Sequence, residues 1–321
     1  MPLDRRAERL LAMLAATEGA PEASETPTAR RQALRGLAEM ADDASEPSDV
    51  RELRCPGPGG EIALRAYAPP GAGQAVLPGL VFFHGGGWVA GDLATHDGLC
   101  RRLALAFGGR VIAVDYRRAP EHPFPAAFDD ALAATRWVAA HAGALGIDPA
   151  RLAVGGDSVG GGLAAVVTHA TRDAGGLRLA LQVLICPILD PASETGSRRA
   201  FADGYFISRA AFARDLAAYL PAGTRADDPR VSPLRAADVA RLPPAIVHTA
   251  EFDPFRDEGE AYAERLRAAG VRVRCERHAG QIHYFYAMAQ AIPAAHAAAA
   301  LIGARMREAF EAAAPTELVR P

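Results

Sequence analysis

The sequence predicts an α/β protein with a mostly parallel central sheet that carries helices on both faces. Short apolar segments alternate with longer helical ones over most of the 321 residues, and this alternation is typical of parallel strands joined by crossover helices. Half of the residues are apolar, which suits a single core with insertions. The predicted strands are residues 61–67, 80–83, 110–116, 151–154, 181–189, 245–249 and 271–275, and the predicted helices are residues 128–141, 159–173, 258–269 and 294–312.

Two regions interrupt this alternation. Residues 1–47 begin with apolar side chains at helical spacing, from Leu3 to Leu14, and continue as a Pro- and Ser-containing stretch. That spacing favours an amphipathic helix over a signal peptide. Residues 191–242 contain no strand pattern, and Ser208 is placed to cap a helix that runs to Leu220. We therefore expect a core made of residues 48–190 and 243–321, with the other two segments lying outside it.

Composition narrows the chemistry. The net charge is −3, so no nucleic-acid partner is expected. The chain contains no lysine, which excludes Schiff-base chemistry, a Walker-A phosphate loop and a Ser-x-x-Lys nucleophile. No stretch reaches the length of a membrane span. The four cysteines lie far apart, so we expect no metal site, no cofactor and no disulfide. We also expect a reduced, cytoplasmic setting. Cys186 and Cys275 are interpreted as core residues within strands.

The segment Gly156–Gly160 reads Gly-Asp-Ser-Val-Gly and lies between an apolar strand and an Ala-rich helix. This is the Gly-x-Ser-x-Gly pattern of a nucleophile elbow, in which a strained turn presents a serine hydroxyl at the carboxyl end of a strand. The alternative is a Gly-rich turn without chemistry. The pattern makes Ser158 the candidate nucleophile.

A second glycine-rich turn follows the strand 80–83. It reads His-Gly-Gly-Gly-Trp over residues 84–88. Consecutive glycines leave backbone N–H groups accessible to a bound oxyanion, as in the His-Gly-Gly-Gly loops of lipases and esterases. A merely flexible turn is the competing interpretation, which the flanking His84 and Trp88 disfavour.

Two further strands each end near a side chain suited to a catalytic triad. Asp253 follows the strand 245–249, and His283 follows the strand 271–275. Because parallel strands end at one edge of a sheet, both should meet Ser158 there. The order Ser158, Asp253, His283 is that of α/β-hydrolases. Asp257, about one helical turn beyond Asp253, is the competing acid, interpreted as structural.

With these motifs, the chain resembles bacterial members of the hormone-sensitive-lipase family (family IV) of α/β-hydrolase carboxylesterases. The matching segments span residues 84–285 and include 91–97 and 115–126. The resemblance implies an α/β-hydrolase fold with a helical cap formed by residues 1–47 and 191–242. It also implies an oxyanion hole at Gly85, Gly86, Gly87 and Val159, in which Gly86, Gly87 and Val159 donate and Gly85 sets the turn. The sequence leaves open which two of the three glycines donate.

Three positions depart from the family pattern. Val159 stands where alanine is more usual, Tyr284 where glycine is frequent, and Arg118 where an apolar residue is usual. Val159 keeps its backbone N–H but narrows the floor of the site. Tyr284 either crowds the alcohol side of the pocket or adds a hydrogen-bond donor. The three departures concern the substrate range, since none removes a catalytic group.

The sequence thus predicts a serine hydrolase of short-to-medium acyl esters that acts on small-molecule substrates without membrane insertion. The alternatives left open are a ligand-binding protein on a hydrolase scaffold, and an amidase or lactonase with the same triad. The strand 271–275 is a candidate edge for a homodimer.

Overall fold

A single sheet of eight strands forms the centre of the computed structural model, which describes residues 1–17, 26–41 and 48–313. The sheet order is β1-β2-β4-β3-β5-β6-β7-β8. Among the described strands, β2 is antiparallel to both of its neighbours, β1 and β4. Every other pair of neighbouring strands is parallel. The strands are β1 Asp49–Gly57, β2 Gly60–Ala68, β3 Leu77–Phe83, β4 Arg110–Asp115, β5 Ile147–Asp157, β6 Leu181–Ile185, β7 Ala245–Phe252 and β8 Val273–Ile282.

Helices cover both faces of this sheet. They are α1 Arg5–Thr17, α2 Pro27–Ala41, α3 Asp97–Phe107, α4 Ala126–Ala140, α5 Val159–Ala174, α6 Gly196–Ala200, α7 Arg209–Tyr219, α8 Arg256–Ala268 and α9 Ala294–Ala313. Apolar side chains of α4, α5 and α8 join one core, and those of α3 and α9 join the other. Successive residues of β3 alternate between the two cores, as the period of two in a strand requires. The predicted α/β architecture is confirmed.

Three predicted strands differ from the observed strands by four or more residues at one end. The strand predicted over 181–189 was too long, because β6 ends at Ile185 and Cys186 follows in the left-handed region with φ of 42°. Pro187 then offers no N–H for a ladder, although the sequence stays apolar. Conversely, β5 and β8 extend beyond the predicted 151–154 and 271–275. β8 is an edge strand, so its outer residues stay polar and weaken the strand pattern.

Among the described elements, the sequence pattern missed β1, α2, α3 and α6. β1 is largely exposed and carries no regular alternation of apolar and polar residues. α3 starts directly after the loop 84–96 and was not distinguished from it. The expected amphipathic N-terminal helix appears as α1, and Ser208 accepts a hydrogen bond from the N–H of Ala211 at the start of α7. None of the helices in the described ranges is both long and apolar enough to cross a bilayer.

Four neighbouring parallel strands position the site. β5, β6, β7 and β8 lie side by side, and their carboxyl ends reach the same edge of the sheet. The residues directly after them therefore converge, whatever their separation along the chain.

Candidate active site

Ser158 occupies a strained turn between β5 and α5. Its φ is 55° and its ψ is −124°, a conformation that a residue with a side chain rarely adopts. The turn is possible because small residues flank it: a Cβ on Gly160 would collide with the carbonyl group of Phe83. The N–H of Ser158 donates to the carbonyl of Ile185 at 2.9 Å, which fixes the turn to the end of β6. The predicted elbow is thus present at this position.

The structure brings Ser158, His283 and Asp253 together in one hydrogen-bonded row. His283 Nε2 lies 3.0 Å from Ser158 Oγ, and His283 Nδ1 lies 2.8 Å from Asp253 Oδ2. All three side chains are buried, with relative exposures of 4%, 1% and 0% for the serine, histidine and aspartate. A carboxylate at Nδ1 favours the tautomer with the proton on that nitrogen. Nε2 is then free to accept the proton of the serine hydroxyl.

Asp253 rather than Asp257 faces the histidine. The second oxygen of Asp253, Oδ1, accepts the N–H of Phe255 at 2.8 Å, so both carboxylate oxygens are held. Asp257 instead accepts the N–H of Ser197 at 2.7 Å and pairs with Arg256. It therefore joins α8 to α6, in agreement with the structural role expected for it.

The glycine loop after β3 lies beside the elbow, but its three glycines differ. The N–H of Gly85 donates to Asp157 Oδ1 at 2.9 Å, so it is directed into the protein rather than toward Ser158 Oγ. This contact fixes the turn, the role that the resemblance implies for Gly85. Within the described ranges, the N–H groups of Gly86, Gly87 and Val159 donate to no other residue. Gly86 and Gly87 have φ values of 118° and 66°, which require glycine.

Asp157 is a site residue that the sequence analysis did not identify. Besides the N–H of Gly85, its carboxylate contacts His96 Nε2 at 3.2 Å and the hydroxyl of Tyr286 at 3.3 Å. His96 is held in turn by Thr95 Oγ1, 2.9 Å from its Nδ1. A single buried acid thus ties the elbow to the glycine loop and to the segment after His283. The available signal was an acidic residue next to the nucleophile in an otherwise apolar strand end.

His84 supports the loop and does not reach the serine. Its ring stacks on Tyr116 with centroids 4.2 Å apart, and the Tyr116 hydroxyl donates to the His84 carbonyl at 2.6 Å. Burial lowers the pKa of His84 to about 3, so the ring is neutral at neutral pH. It therefore acts as a packed, uncharged support beneath the loop.

The three departures from the family pattern have visible contacts. The side chain of Val159 is fully buried. Tyr284 donates its hydroxyl to the carbonyl of Thr95 at 3.1 Å, and its ring stacks on Phe206 at a centroid distance of 5.5 Å. Tyr284 has φ of 68°, where glycine is favoured. Arg118 donates to the carbonyl of Gly91, next to the Asp92 turn, so it braces that loop.

Aromatic side chains cover the row of catalytic groups. The ring of Phe255 packs edge-on against His283 at 5.3 Å and contacts Phe212 of α7 at 5.0 Å. Trp88, at the end of the glycine loop, stacks on Tyr219 of α7 at 4.6 Å. A cleft of about 40 Å³ lies beside Phe212 and Phe255 and is also lined by residues of α6 and the start of α7.

Comparison with known proteins agrees with this geometry. Residues 80–287 match the family model of the α/β-hydrolase fold. The carboxylic ester hydrolase LipN of Mycobacterium tuberculosis is 45% identical over 255 residues, which cover 76% of this chain and 66% of LipN. An ethyl acetate hydrolase of Pseudomonas putida is 40% identical and covers 84% of this chain and 86% of its own length.

Solved structures give the same result. An ester hydrolase from the metagenome of Lake Arreo superimposes with a TM-score of 0.92 at 42% identity, covering 96% of this chain and 99% of its own. A thermostable esterase from Pseudomonas putida gives a TM-score of 0.91 at 38% identity, with coverages of 96% and 98%. Family model, sequence relatives and structures coincide with the motifs of the site. The chain therefore belongs to the α/β-hydrolase family, in its hormone-sensitive-lipase branch (bacterial family IV) of carboxylesterases.

Proposed function

We propose that this carboxylic ester hydrolase works through an acyl-enzyme formed on Ser158. The observation that carries the proposal is the continuous row from Ser158 Oγ through His283 to Asp253, with distances of 3.0 and 2.8 Å. A serine needs a base within hydrogen-bond distance to become a nucleophile, and that base needs an orienting acid. Each requirement is met by one buried side chain.

The reaction follows from this arrangement. Ser158 Oγ attacks the ester carbonyl while its proton passes to His283 Nε2, and the carbonyl becomes a tetrahedral oxyanion. When that intermediate collapses, the C–O bond to the alcohol breaks and His283 returns the proton to the leaving oxygen. A water molecule then repeats the sequence on the acyl-serine and releases the carboxylic acid. Asp253 holds the histidine tautomer and stabilises the imidazolium in both halves.

The oxyanion is assigned to the N–H groups of Gly86, Gly87 and Val159. These groups have no other acceptor among the described residues, whereas the N–H of Gly85 is bound to Asp157. The amino end of α5 lies behind Val159 and adds a favourable dipole for negative charge. Losing one such donor costs about 3–4 kcal/mol of transition-state stabilisation on the precedent of other hydrolases.

The substrates are short-to-medium acyl esters, and residues 1–47 and 191–242 form the cap that encloses them. Two contacts support this proposal: Arg31 of α2 donates to the carbonyl of Val89, just after the glycine loop, at 2.8 Å, and Arg30 pairs with Asp215 of α7 at 3.5 Å.

Two broader assignments complete the proposal. The protein functions in a reducing, cytoplasmic compartment, since its four cysteines are free thiols and three of them are buried. It forms a homodimer through β8, whose outer edge has no strand partner in the described chain. Size-exclusion chromatography coupled to light scattering would contradict the dimer by giving the mass of a single chain.

The triad is tested by turnover of p-nitrophenyl butyrate with the wild-type protein and Ser158→Ala. We expect kcat to fall on the order of 10⁶-fold in the variant, with unchanged thermal unfolding. Ser197→Ala, which changes a serine that contacts Asp257 instead, is the matched control and should retain turnover. Equal activity of wild type and Ser158→Ala would refute the serine mechanism.

A further inference from the structure

The carboxyl edge of the sheet carries a fourth polar side chain beside the triad. Ser158 follows β5, Asp253 follows β7 and His283 follows β8. The strand between the first two, β6, ends at Ile185 and is followed by Cys186. Cys186 Sγ, an oxygen of Asp253 and a ring nitrogen of His283 all lie within 4.8 Å of one another. The cysteine is thus part of the site by position, although the sequence favoured a plain core residue.

The backbone holds Cys186 in an unusual conformation. Its φ of 42° lies in the left-handed region, and the proline that follows normally forces an extended conformation on the residue before it. Its N–H donates to the carbonyl of His248 at 2.7 Å, which ties the turn to β7. Strained residues of this kind are retained where a side chain has to be presented in one direction. Here that direction leads to Asp253.

Asp253 needs donors because it is fully buried. It receives one from Phe255 and one from His283, each at 2.8 Å, whereas a carboxylate has about four acceptor sites. Burial, followed by the carboxylates of Asp253 and Asp157, raises the pKa of the Cys186 thiol well above its usual range. The sulfur therefore keeps its proton and has an S–H group to donate.

We propose that the Cys186 thiol is a third hydrogen-bond donor to the Asp253 carboxylate and thereby positions that acid for His283. Cys186 is a positioning residue: it acts on the histidine through the aspartate and forms no bond with the substrate. The inference rests on the proposed triad. The titratable groups that face the thiol are Asp157 at the end of β5, Asp253 after β7, and His283 and Tyr286 after β8.

The consequence is a defined effect on the base. A donor at Asp253 withdraws negative charge from the carboxylate and so weakens its stabilisation of the imidazolium. Removing the donor concentrates that charge near His283 and raises its proton affinity. The acid limb of kcat/KM against pH then moves to higher pH. A residue that only fills space in the core would change stability without moving this limb.

The experiment compares the pH profiles of kcat/KM for p-nitrophenyl butyrate in wild type, Cys186→Ala and Cys186→Ser. We expect the midpoint of the acid limb to rise by about 0.5–1 pH unit in Cys186→Ala. Activity at the lower end of the profile should drop by about threefold to tenfold as a result. Cys186→Ser keeps a donor and should restore the wild-type midpoint. Cys100→Ala removes an equally buried thiol from α3 and should not move it.

Two results would overturn the proposal. One is an unchanged midpoint in Cys186→Ala, even if its thermal stability falls. The other is a Cys186→Ser midpoint that moves as far as that of Cys186→Ala. Neither result affects the triad, which is tested separately by Ser158→Ala. If the Cys186 variants refute this proposal while Ser158→Ala is inactive, the serine mechanism is still supported.

Discussion

Asp157 offers the most direct test of how the oxyanion loop is held. Its carboxylate contacts Gly85 N at 2.9 Å, His96 Nε2 at 3.2 Å and Tyr286 Oη at 3.3 Å, in a site with no solvent exposure. In Asp157→Ala the N–H of Gly85 loses its 2.9 Å acceptor and keeps only the longer contact of 3.3 Å to His96 Nε2. A hydrogen bond to a charged group contributes about 1.5–3 kcal/mol. Removing one member of a buried polar cluster costs about 3–5 kcal/mol of unfolding free energy.

The loss of activity should be separable from this loss of stability. Without its anchor at Gly85, the loop no longer fixes the N–H groups of Gly86 and Gly87 toward the oxyanion. We expect kcat/KM to fall by about 10²–10³-fold in Asp157→Ala, the loss typical of one displaced oxyanion donor. Asp157→Asn keeps an acceptor oxygen for Gly85, so its activity should fall less. The measurement is kcat/KM for p-nitrophenyl butyrate, corrected for the folded fraction from urea unfolding.

Asp130 is the matched control. It is equally buried and accepts three hydrogen bonds, all from Arg117, at 2.9–3.0 Å. It lies on α4, away from the glycine loop. Asp130→Ala should lose stability but retain its corrected kcat/KM. If both alanine variants lost the same fraction of corrected activity, the assigned role of Asp157 in the loop would be refuted.

Two further predictions concern buried charge. Arg198 lies 3.2 Å from Glu258, and burial raises the pKa of Glu258 to about 7. Arg198→Ala leaves that buried acid without its cationic partner and should lower the unfolding free energy by about 3–5 kcal/mol in urea titrations at pH 8. Arg199→Ala, which changes an exposed arginine, should not lower it. His248 and His278 share a 2.8 Å contact, and burial lowers their pKa values to about 3 and about 4. Both rings are neutral in the folded protein but bind protons in the unfolded chain below about pH 6.5. The free energy of unfolding is therefore retained above that pH and falls toward pH 4, with a slope of up to about 1.4 kcal/mol per pH unit per histidine. The difference in unfolding free energy between pH 5 and pH 7, measured by urea unfolding, should be smaller in His248→Gln than in wild type, and an equal difference would contradict this origin.

The sequence determined the class of fold and the identity of the three triad candidates. Strands that are buried on both faces must be apolar, so β3, β5 and β7 can be recognised in the sequence as short apolar runs. The elbow and the glycine loop can also be recognised, because a strained turn and an exposed backbone donor restrict which residues fit. Asp253 was preferred over Asp257 from its distance to the strand end, and the contacts of both residues agree with that preference.

Only the tertiary structure assigned the supporting residues. The contacts of Asp157 with His96 and Tyr286 join segments that are distant along the chain. A local sequence pattern cannot predict contacts of this kind. The sequence left open which two of the three glycines donate, and the N–H of Gly85 is engaged by Asp157 through a contact that joins two distant segments. Cys186 looked like the interior of a strand because the apolar run continues to Leu189, yet the strand stops at Ile185. Apolar character records burial, whereas the end of a strand depends on backbone hydrogen bonds to its neighbours. The sheet order, which brings four strand ends together, therefore decided what surrounds the triad.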